Sequence, residues 1–309
     1  MKQTAFVAIL GCPNVGKSSL LNLLLGEKVA IVSDKPQTTR TRIMGVLTEG
    51  ERQLVFTDTP GLHRPRTKLG QHMMRAAKEG MEGVDACVFV TNATGEPSLR
   101  PEEEALLRDF RRSRQNVILV LNKVDLLENK SILARRIAFF AGQYPFAAVV
   151  PLSAKTGENT DALREELAAL FALPELELPQ GFFFPEDTLT DQPERVLAAE
   201  LLREQLLRLL EQEIPHGTAV AVERMKEGAT SAGEALLEID ALIYCERESH
   251  KGIIIGKGGA MLKEASTQAR KEMEAFFGCK VHLQCWVKVK EDWRNREGLI
   301  RNFGLNQGT

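Results

Sequence analysis

The sequence predicts an α/β fold over roughly its first half, a mostly parallel sheet with helices on both faces, followed by a smaller α+β domain. Three observations carry that prediction. Short apolar runs alternate with helical patterns through the first half; a proline-rich stretch then interrupts the pattern; and a helix, two strands, a glycine-rich turn between helices and a last strand follow it. At 309 residues the chain exceeds what one core usually organises, which fits two domains.

The elements follow in chain order. "AFVAIL", "QLVFT", "ACVFVT", "NVILVLN" and "AAVVPLS" are short, continuous and rich in Val, Ile and Phe, as strands buried on both faces are. Between them, "KSSLLNLLLG", "RTKLGQHMMRAAKEGM", "PEEEALLRDFRR" and "NTDALREELAALF" place apolar residues at helical spacing; the third opens on Pro101 and acidic residues, which suit a first helical turn. "RIMGVLTEG" followed by "ERQLVFT" predicts a hairpin turning near Glu49 and Gly50, so one strand of the sheet should be antiparallel.

From Leu173 to Glu194 the chain carries Pro174, Pro179, Pro185 and Pro193, which preclude a regular helix and predict a stiff linker. Its "FFF" at 182–184 is expected to dock on one or both domains rather than stand in water. The expected boundaries are therefore 1–173, a linker at 174–195, and 196–309. In the last part, "RVLAAELLREQLLRLLEQEI" predicts a strongly amphipathic helix, and "GTAVAVERMKE" and "ALLEIDALIYCERE" predict two strands. "GIIIGKGG" leads into the helical "AMLKEASTQARKEMEAFFG", and "KVHLQCWVKVK" alternates as a half-buried strand should.

Composition excludes several classes. The 43% hydrophobic and 27% charged content is that of an ordinary globular chain, and no apolar run approaches the roughly 18 residues of a membrane span. The amino terminus loses its apolar stretch at Gly11 and lacks a small-residue cleavage site, so it is not expected to be a signal peptide. Five cysteines without CxxC spacing argue against a disulfide framework or thiolate metal site and suit a reducing cytoplasm. The formal net charge of −2 conceals an asymmetry: residues 196–249 are acidic in balance, residues 250–309 basic.

"GCPNVGKS" matches GxxxxGK[ST] between a predicted strand and a predicted helix, the context in which such a loop wraps phosphate oxygens with backbone N–H groups. Gly11, Cys12, Pro13, Asn14, Val15, Gly16, Lys17, Ser18 and Ser19 are its residues. Lys17 is expected to reach the β- and γ-phosphates, and Ser18 to offer its hydroxyl to Mg²⁺. "NKVD" supplies the base: Asn122, Lys123, Val124 and Asp125 follow "VILVL" at a strand end. The Asp125 carboxylate can accept from guanine N1–H and the 2-amino group, neither of which adenine offers, and a buried unpaired acceptor costs about 1–3 kcal/mol or more. Lys123 can lie along the base while Asn122 ties this loop to the phosphate loop.

"DTPGL", with Asp58, Thr59, Pro60, Gly61 and Leu62, follows another strand; Asp58 can hold Mg²⁺ through water, and the Gly61 N–H can sense a γ-phosphate. "SAK", with Ser153, Ala154 and Lys155, is a weaker signal whose backbone can contact the guanine O6.

In this order "GCPNVGKS", "PQTTRTR", "DTPGL" and "NKVD" resemble the Era branch of the translation-factor-like GTPases, over nearly the whole chain. The resemblance implies a P-loop GTPase domain, hydrolysis of GTP to GDP and phosphate, and Mg²⁺ as cofactor. It makes "KPQTTRTR" the first switch, with Thr39 as a Mg²⁺ ligand beside Ser18 and Asp58, and Thr38 as the competing alignment. Where many related GTPases have a water-orienting glutamine after the glycine, this chain has Leu62, so slow intrinsic hydrolysis is expected. Similar GTPases with asparagine at position 14 use it to hold K⁺, which would offset transition-state charge; Asn14 otherwise simply caps the loop. The catalytic candidates are thus Lys17, Thr39, Gly61 and Asn14.

"GKGG" resembles the GxxG turn of KH domains, which clamps a single-stranded nucleic-acid backbone. A chain with 24 glycines yields about two GxxG matches by chance, and the second here, "GMEG", reads as a helix stop. Context favours the first: Lys251, Lys257 and Lys263 surround Gly256, Lys257, Gly258 and Gly259, and Ile253, Ile254 and Ile255 could form an apolar floor for bases. The element order looks like a KH fold of the bacterial type. Resemblance implies binding to the 3′ end of small-subunit ribosomal RNA, assistance to assembly of that subunit, a monomer, and a cytoplasmic place of action. Protein association, or peripheral attachment at the inner membrane, is the alternative use of the last domain.

Overall fold

The computed structural model describes residues 1–62 and 65–305, and the chain divides into two compact units. The first comprises Met1–Ala30, Thr39–Arg64 and Met73–Asp191; the second comprises Ile31–Thr38, Pro65–His72 and Gln192–Thr309. The last four residues of the expected KH domain, 306–309, lie outside the described residues.

In the first unit β1 (Gln3–Leu10), β2 (Ile43–Glu49), β3 (Arg52–Asp58), β4 (Ala86–Asn92), β5 (Val117–Asn122) and β6 (Ala148–Leu152) form a sheet in the order β2-β3-β1-β4-β5-β6. Every pairing among the described strands is parallel except β2 with β3, where Ile43 faces Asp58 and Glu49 faces Arg52. This is the expected hairpin. α1 (Lys17–Leu25), the part of α2 (Lys68–Glu79) from Met73 onward, α3 (Pro101–Ser113), α4 (Lys130–Ala141) and α5 (Thr160–Ala169) complete the alternation.

Successive residues of a strand point to opposite faces, and β1 uses both. Ala5, Val7 and Ile9 meet Leu20 and Leu24 of α1 and Leu163 and Leu167 of α5 on one face, whereas Ala8 and Leu10 meet Ala77, Leu106, Phe110 and Phe140 on the other. Each fully buried Leu or Phe there contributes about 1.5–3 kcal/mol. The two-layer covering explains why the strands read as unbroken apolar runs rather than alternating ones.

α4 is an element that the sequence patterns did not single out. Arg135 and Arg136 interrupt the apolar spacing of "KSILARRIAFFA", and the structure takes one of them inside. Arg136 is 5% exposed and donates to the carbonyls of Asn92 and Glu96 at 2.8 and 2.9 Å. Asn129 caps the helix by accepting from the Ser131 N–H at 2.8 Å.

The proline-rich segment is bonded along this sheet as a strap. Pro179 O accepts from the Thr4 N–H at 3.1 Å, the Gln53 amide holds the backbone of Phe183 and Phe184, and Leu189 O accepts from the Val46 N–H at 2.8 Å. The last bond satisfies the outer edge of β2, which would otherwise be open to pairing with another chain. Phe183 packs edge-on against Phe6 at 5.0 Å, and Lys2 lies over Phe182 at 4.6 Å.

The second unit contains α6 (Glu194–Leu209), β7 (Ala219–Ala229), β8 (Ala235–Cys245), α7 (Glu248–Ile255), α8 (Ala260–Phe277), β9 (Lys280–Val289) and α9 (Glu297–Asn302). Its sheet has the order β7-β8-β9; β7 and β8 are antiparallel, and β9 runs parallel to β8 after the α7–α8 crossover that a parallel pairing requires. Leu202 and Leu206 of α6, Ile239 and Ile243 of β8, and Ala265, Ala269 and Met273 of α8 form the core. Trp293 is fully buried and donates its indole N–H to Gly217 O at 2.8 Å.

α6 departs from expectation. A strongly amphipathic helix should leave its polar face in water, yet Arg203, Glu204 and Gln205 are 2%, 0% and 4% exposed. Segment 31–38 bonds to two of them, with the Val32 N–H donating to Glu204 and the Thr38 carbonyl accepting from Arg203. Among the described residues, no helix is long and apolar enough to cross a membrane.

Candidate functional site

The phosphate-type loop occupies the turn between the carboxyl end of β1 and the first turn of α1, where backbone N–H groups point out of a helix start. Gly16 has φ 96°, and a Cβ there would press into the Asn122 side-chain amide, so only glycine fits. Cys12 and Val15 are each 1% exposed and anchor the loop from beneath. Lys17 is buried, and its Nζ donates to the carbonyls of Gly11 and Cys12 at 3.2 and 3.1 Å. Burial lowers its pKa, and the neighbouring Asp58 carboxylate opposes that shift.

Three oxygens converge beside Lys17. Ser18 Oγ donates to Asp58 Oδ2 at 2.6 Å and lies 2.9 Å from Thr39 Oγ1, which is 3.5 Å from the same carboxylate oxygen. Asp58 is fully buried; desolvation pushes its carboxyl up to about 6, against the lowering effects of Lys17, Ser18 and Thr39. Its other oxygen, Oδ1, is buried without a hydrogen-bond partner. Hard oxygens with an orphaned carboxylate lone pair suit Mg²⁺, which takes one or two protein ligands and leaves the rest to phosphate and water.

Thr38 stands apart, with its hydroxyl 2.8 Å from Ser33 Oγ and donating to Lys35 O at 2.6 Å. Thr59 donates to Ile9 O at 3.1 Å, and Pro60 is buried. A Cβ on Gly61 would come within 2.7 Å of the Pro13 backbone, so this glycine allows the third strand's loop to lie directly against the phosphate-type loop. Leu62 N–H donates to Gly11 O at 3.2 Å, while its side chain, 9% exposed, packs into the core with Ala8 and Leu10.

Asn122 joins the loops. Its Nδ2 donates to Val15 O at 2.7 Å and its Oδ1 accepts from the Ala154 N–H at 2.9 Å. Lys123, at φ 68°, donates from Nζ to Asn14 O at 2.6 Å, and Asn14 itself has φ 62°. Burial lowers the Lys123 pKa, with Asp125 opposing. Val124 opens the short turn that carries Asp125. One oxygen of that exposed carboxylate accepts from the buried Ser153 hydroxyl at 2.6 Å, and Lys155 is exposed nearby in sequence. Ser19 lies half-buried in α1. Sequence reasoning missed Asn22, whose amide makes bonds of 2.7–3.0 Å with the backbone of Val29 and Ala30. The lone amide inside "SLLNLLLG" was its signal.

In the second unit, Gly256 at φ 73° ends α7, and Gly258 at φ 61° and Gly259 at φ 80° lead into α8. Lys257 and Lys263 are exposed and Lys251 half-buried. The expected floor of three isoleucines needs correction. Ile253 is 49% exposed and Ile255 half-buried, but Ile254 is fully buried in the core, because a helix turns each successive side chain by about 100° and only part of the run can face outward.

The chain matches the family model described as 50S ribosome-binding GTPase over residues 6–123 and the one described as KH domain over residues 213–294. It is 46% identical over 306 residues to GTPase Era of Clostridioides difficile (strain 630), with 99% of each chain covered. It is 42% identical over 303 residues to GTPase Era of Alkaliphilus metalliredigens (strain QYMF), with 98% of each covered. Two solved structures resemble it throughout. Era in complex with MgGDPNP and nucleotides 1506–1542 of 16S ribosomal RNA is 40% identical, with TM-score 0.89 and 99% of each chain covered. A single-residue variant of Aquifex aeolicus Era bound to GDP·AlF4⁻ is also 40% identical, with TM-score 0.88 and coverage of 98% of this chain and 99% of that one.

Proposed function

The chain belongs to the Era GTPase family, and from that premise we infer a switch protein that hydrolyses GTP and holds the 3′ end of small-subunit ribosomal RNA while that subunit assembles. It is a Mg²⁺-dependent GTPase, with a P-loop GTPase domain followed by a KH domain. We place the GTPase domain at 1–173, the linker at 174–195 and the KH domain at 196–309.

The observation that carries the nucleotide assignment is the joining of three strand-end loops by Asn122 and Ser153, which aims Asp125 and Lys17 at opposite ends of one ligand. Asp125 accepts from guanine N1–H and the 2-amino group, with its other oxygen held by Ser153. Lys123 lies along the base. Lys17 and the N–H groups of Gly11 to Ser18 receive the phosphates. Ser18 and Thr39 offer hydroxyl oxygens to Mg²⁺, and Asp58 holds it through water. Held there, Mg²⁺ would supply positive charge that offsets that of the phosphates. The Gly61 N–H senses the γ-phosphate, so its loop and that of Thr39 differ between GTP and GDP. Leu62 cannot polarise water, which keeps intrinsic hydrolysis slow, and Asn14 would hold K⁺, which would supply charge to offset the negative charge of hydrolysis.

RNA recognition is assigned to Lys251, Ile253, Ile255, Lys257, Lys263 and the glycines Gly256, Gly258 and Gly259. The 16S ribosomal RNA segment bound by a protein 40% identical over the full chain supports this. The proposed form is a cytoplasmic monomer, with any membrane contact peripheral, at the inner membrane.

Calorimetric titration with GTP, GDP and ATP in Mg²⁺ tests the nucleotide assignment: tight binding of the guanine nucleotides alone is expected, and equal binding of ATP overturns it. Hydrolysis in KCl should exceed that in NaCl at equal ionic strength, and equal rates remove the role of Asn14. An oligonucleotide of the ribosomal RNA 3′ end should bind with different affinity in GDP and in a non-hydrolysable GTP analogue; identical titrations contradict the switch.

A further inference from the structure

We propose that Arg136 of α4 is a positioning residue for the loop Asn122–Asp125, acting through the peptide that links Asn92 to Ala93; this rests on that loop being the one that reads guanine. All of these residues belong to the first unit. Arg136 Nη2 donates to Asn92 O at 2.8 Å, and the N–H on the other side of the same peptide, that of Ala93, donates to Asn122 O at 2.6 Å. A trans peptide is planar and points its C=O and N–H in opposite directions, so a guanidinium fixed on one side sets the direction of the donor on the other. The relay has one more member. Asn122 O belongs to the peptide that links Asn122 to Lys123, and the N–H of that peptide donates to Asn122 Oδ1 at 2.8 Å, the atom that also accepts from the Ala154 N–H.

Two features make orientation, rather than stability, the use of this cation. The first is its setting. Arg136 is buried, its two hydrogen bonds go to carbonyls rather than to a carboxylate, and its Nε is buried without a partner. A buried charge met in this way is costly, and an apolar side chain would fill the same space without that cost. What the charge adds is a strong, directed bond, which also polarises the amide that accepts it and so strengthens that amide's own N–H as a donor. The guanidinium is aimed by the Phe140 ring, 4.9 Å away and one helical turn on, and by its second bond, to Glu96 O. Glu103 fixes the far end of the same loop, accepting from the Arg100 N–H at 2.9 Å and the Thr91 hydroxyl at 2.8 Å. The second feature is Lys123, whose φ of 68° lies in the left-handed region that a lysine avoids. That angle is set by the Asn122–Lys123 peptide, and the Ala93 N–H holds this peptide by its oxygen. Loss of the hold lets the peptide relax and swings Lys123 and Asp125 away from the base.

Calorimetric titration of the full chain with GDP and with inosine diphosphate, which lacks the 2-amino group, tests this in the unaltered protein and in Arg136→Met, Arg136→Lys and Arg135→Ala. In the unaltered protein inosine diphosphate should bind about tenfold or more weakly than GDP, because Asp125 loses one of its two donors. That ratio should fall about three- to tenfold in Arg136→Met. It should fall less in Arg136→Lys, which keeps the charge, and not at all in Arg135→Ala, whose side chain is exposed on the same helix. A side chain that only fills space would lower the melting temperature on replacement and leave the ratio unmoved. An unmoved ratio in Arg136→Met therefore overturns the proposal, and so does an equal fall in Arg135→Ala. If Arg136→Met does not fold, an unmoved ratio in Arg136→Lys overturns it instead. Equal binding of the two diphosphates by the unaltered protein has a different meaning: the guanine reading itself fails, and this inference with it.

Discussion

The Asn122 side-chain amide donates to the Val15 carbonyl across 2.7 Å, tying the strand end that carries Asp125 to the loop that carries Lys17. The same side chain accepts from the Ala154 N–H, so one amide 2% exposed holds loops from three strand ends in register. Its replacement by alanine takes this partner from the buried Val15 carbonyl, at a cost of about 1–3 kcal/mol, and from the half-buried Ala154 N–H. GTP and GDP affinity should fall together by about tenfold or more, since neither bond involves the γ-phosphate. Calorimetry measures it, and unchanged affinities would show that the loops hold their register without Asn122.

Asp125 accepts from the Ser153 hydroxyl on one oxygen, and in the proposed guanine site the other accepts from the base. Asp125→Asn exchanges an acceptor for a donor, which suits the 2-oxo group of xanthine instead of the 2-amino group of guanine. GTP affinity should drop by about two orders of magnitude while xanthosine triphosphate becomes the better ligand. Competition between the two triphosphates reads the outcome; continued preference for GTP would move base recognition elsewhere.

Leu62 occupies the position where many GTPases carry a glutamine, but its side chain lies in the core beside Leu10 and Phe89. Leu62→Gln should not accelerate hydrolysis, because the amide would be drawn into an apolar site rather than toward a phosphate. It should instead destabilise the fold by about 1–3 kcal/mol. Single-turnover hydrolysis and thermal unfolding check both parts; a rate increase of about tenfold would refute the first.

Gly256 and Gly258 both have positive φ, at 73° and 61°, yet they differ in surroundings. A Cβ on Gly256 meets the Met261 Cβ at 2.7 Å, whereas nothing lies within 4 Å of one on Gly258. Gly258→Asp should therefore cost only about 1 kcal/mol of stability while weakening RNA binding through its charge. Gly256→Ala should lower the melting temperature more. Melting curves and oligonucleotide titrations of both variants test this, and RNA affinity unchanged in Gly258→Asp would exclude the turn from the RNA contact.

All five cysteines are free thiols, and Cys12, Cys87 and Cys245 are buried. Burial is the largest cause pushing Cys12 up to about 11 and Cys87 up to about 12, and it raises Cys245 as well. For a thiol near 11 the thiolate fraction at pH 8 is about one in a thousand, and it grows as pH rises. Iodoacetamide at pH 8 should thus leave these three unmodified in the native protein and alkylate all five after denaturation, as mass spectrometry would show. Rapid native labelling of Cys12 would mean that the phosphate-type loop opens.

The sequence by itself determined the glycine and lysine loop after the first strand, the Asn122–Asp125 loop after the fifth, the hairpin near Gly50 and the glycine turn of the KH domain. Each is local: a few residues dictate a backbone path, and apolar period and turn chemistry place it at a strand end. Tertiary structure alone decided which threonine joins Ser18 and Asp58, that Ile254 turns inward, that Arg136 enters the core with α4, and that the polar face of α6 is covered. Those outcomes depend on which remote surface a side chain meets, and spacing along the chain carries no record of that. Arg203 reads as a solvated helix residue until segment 31–38 comes to rest on it, and only packing across more than 160 residues makes that contact.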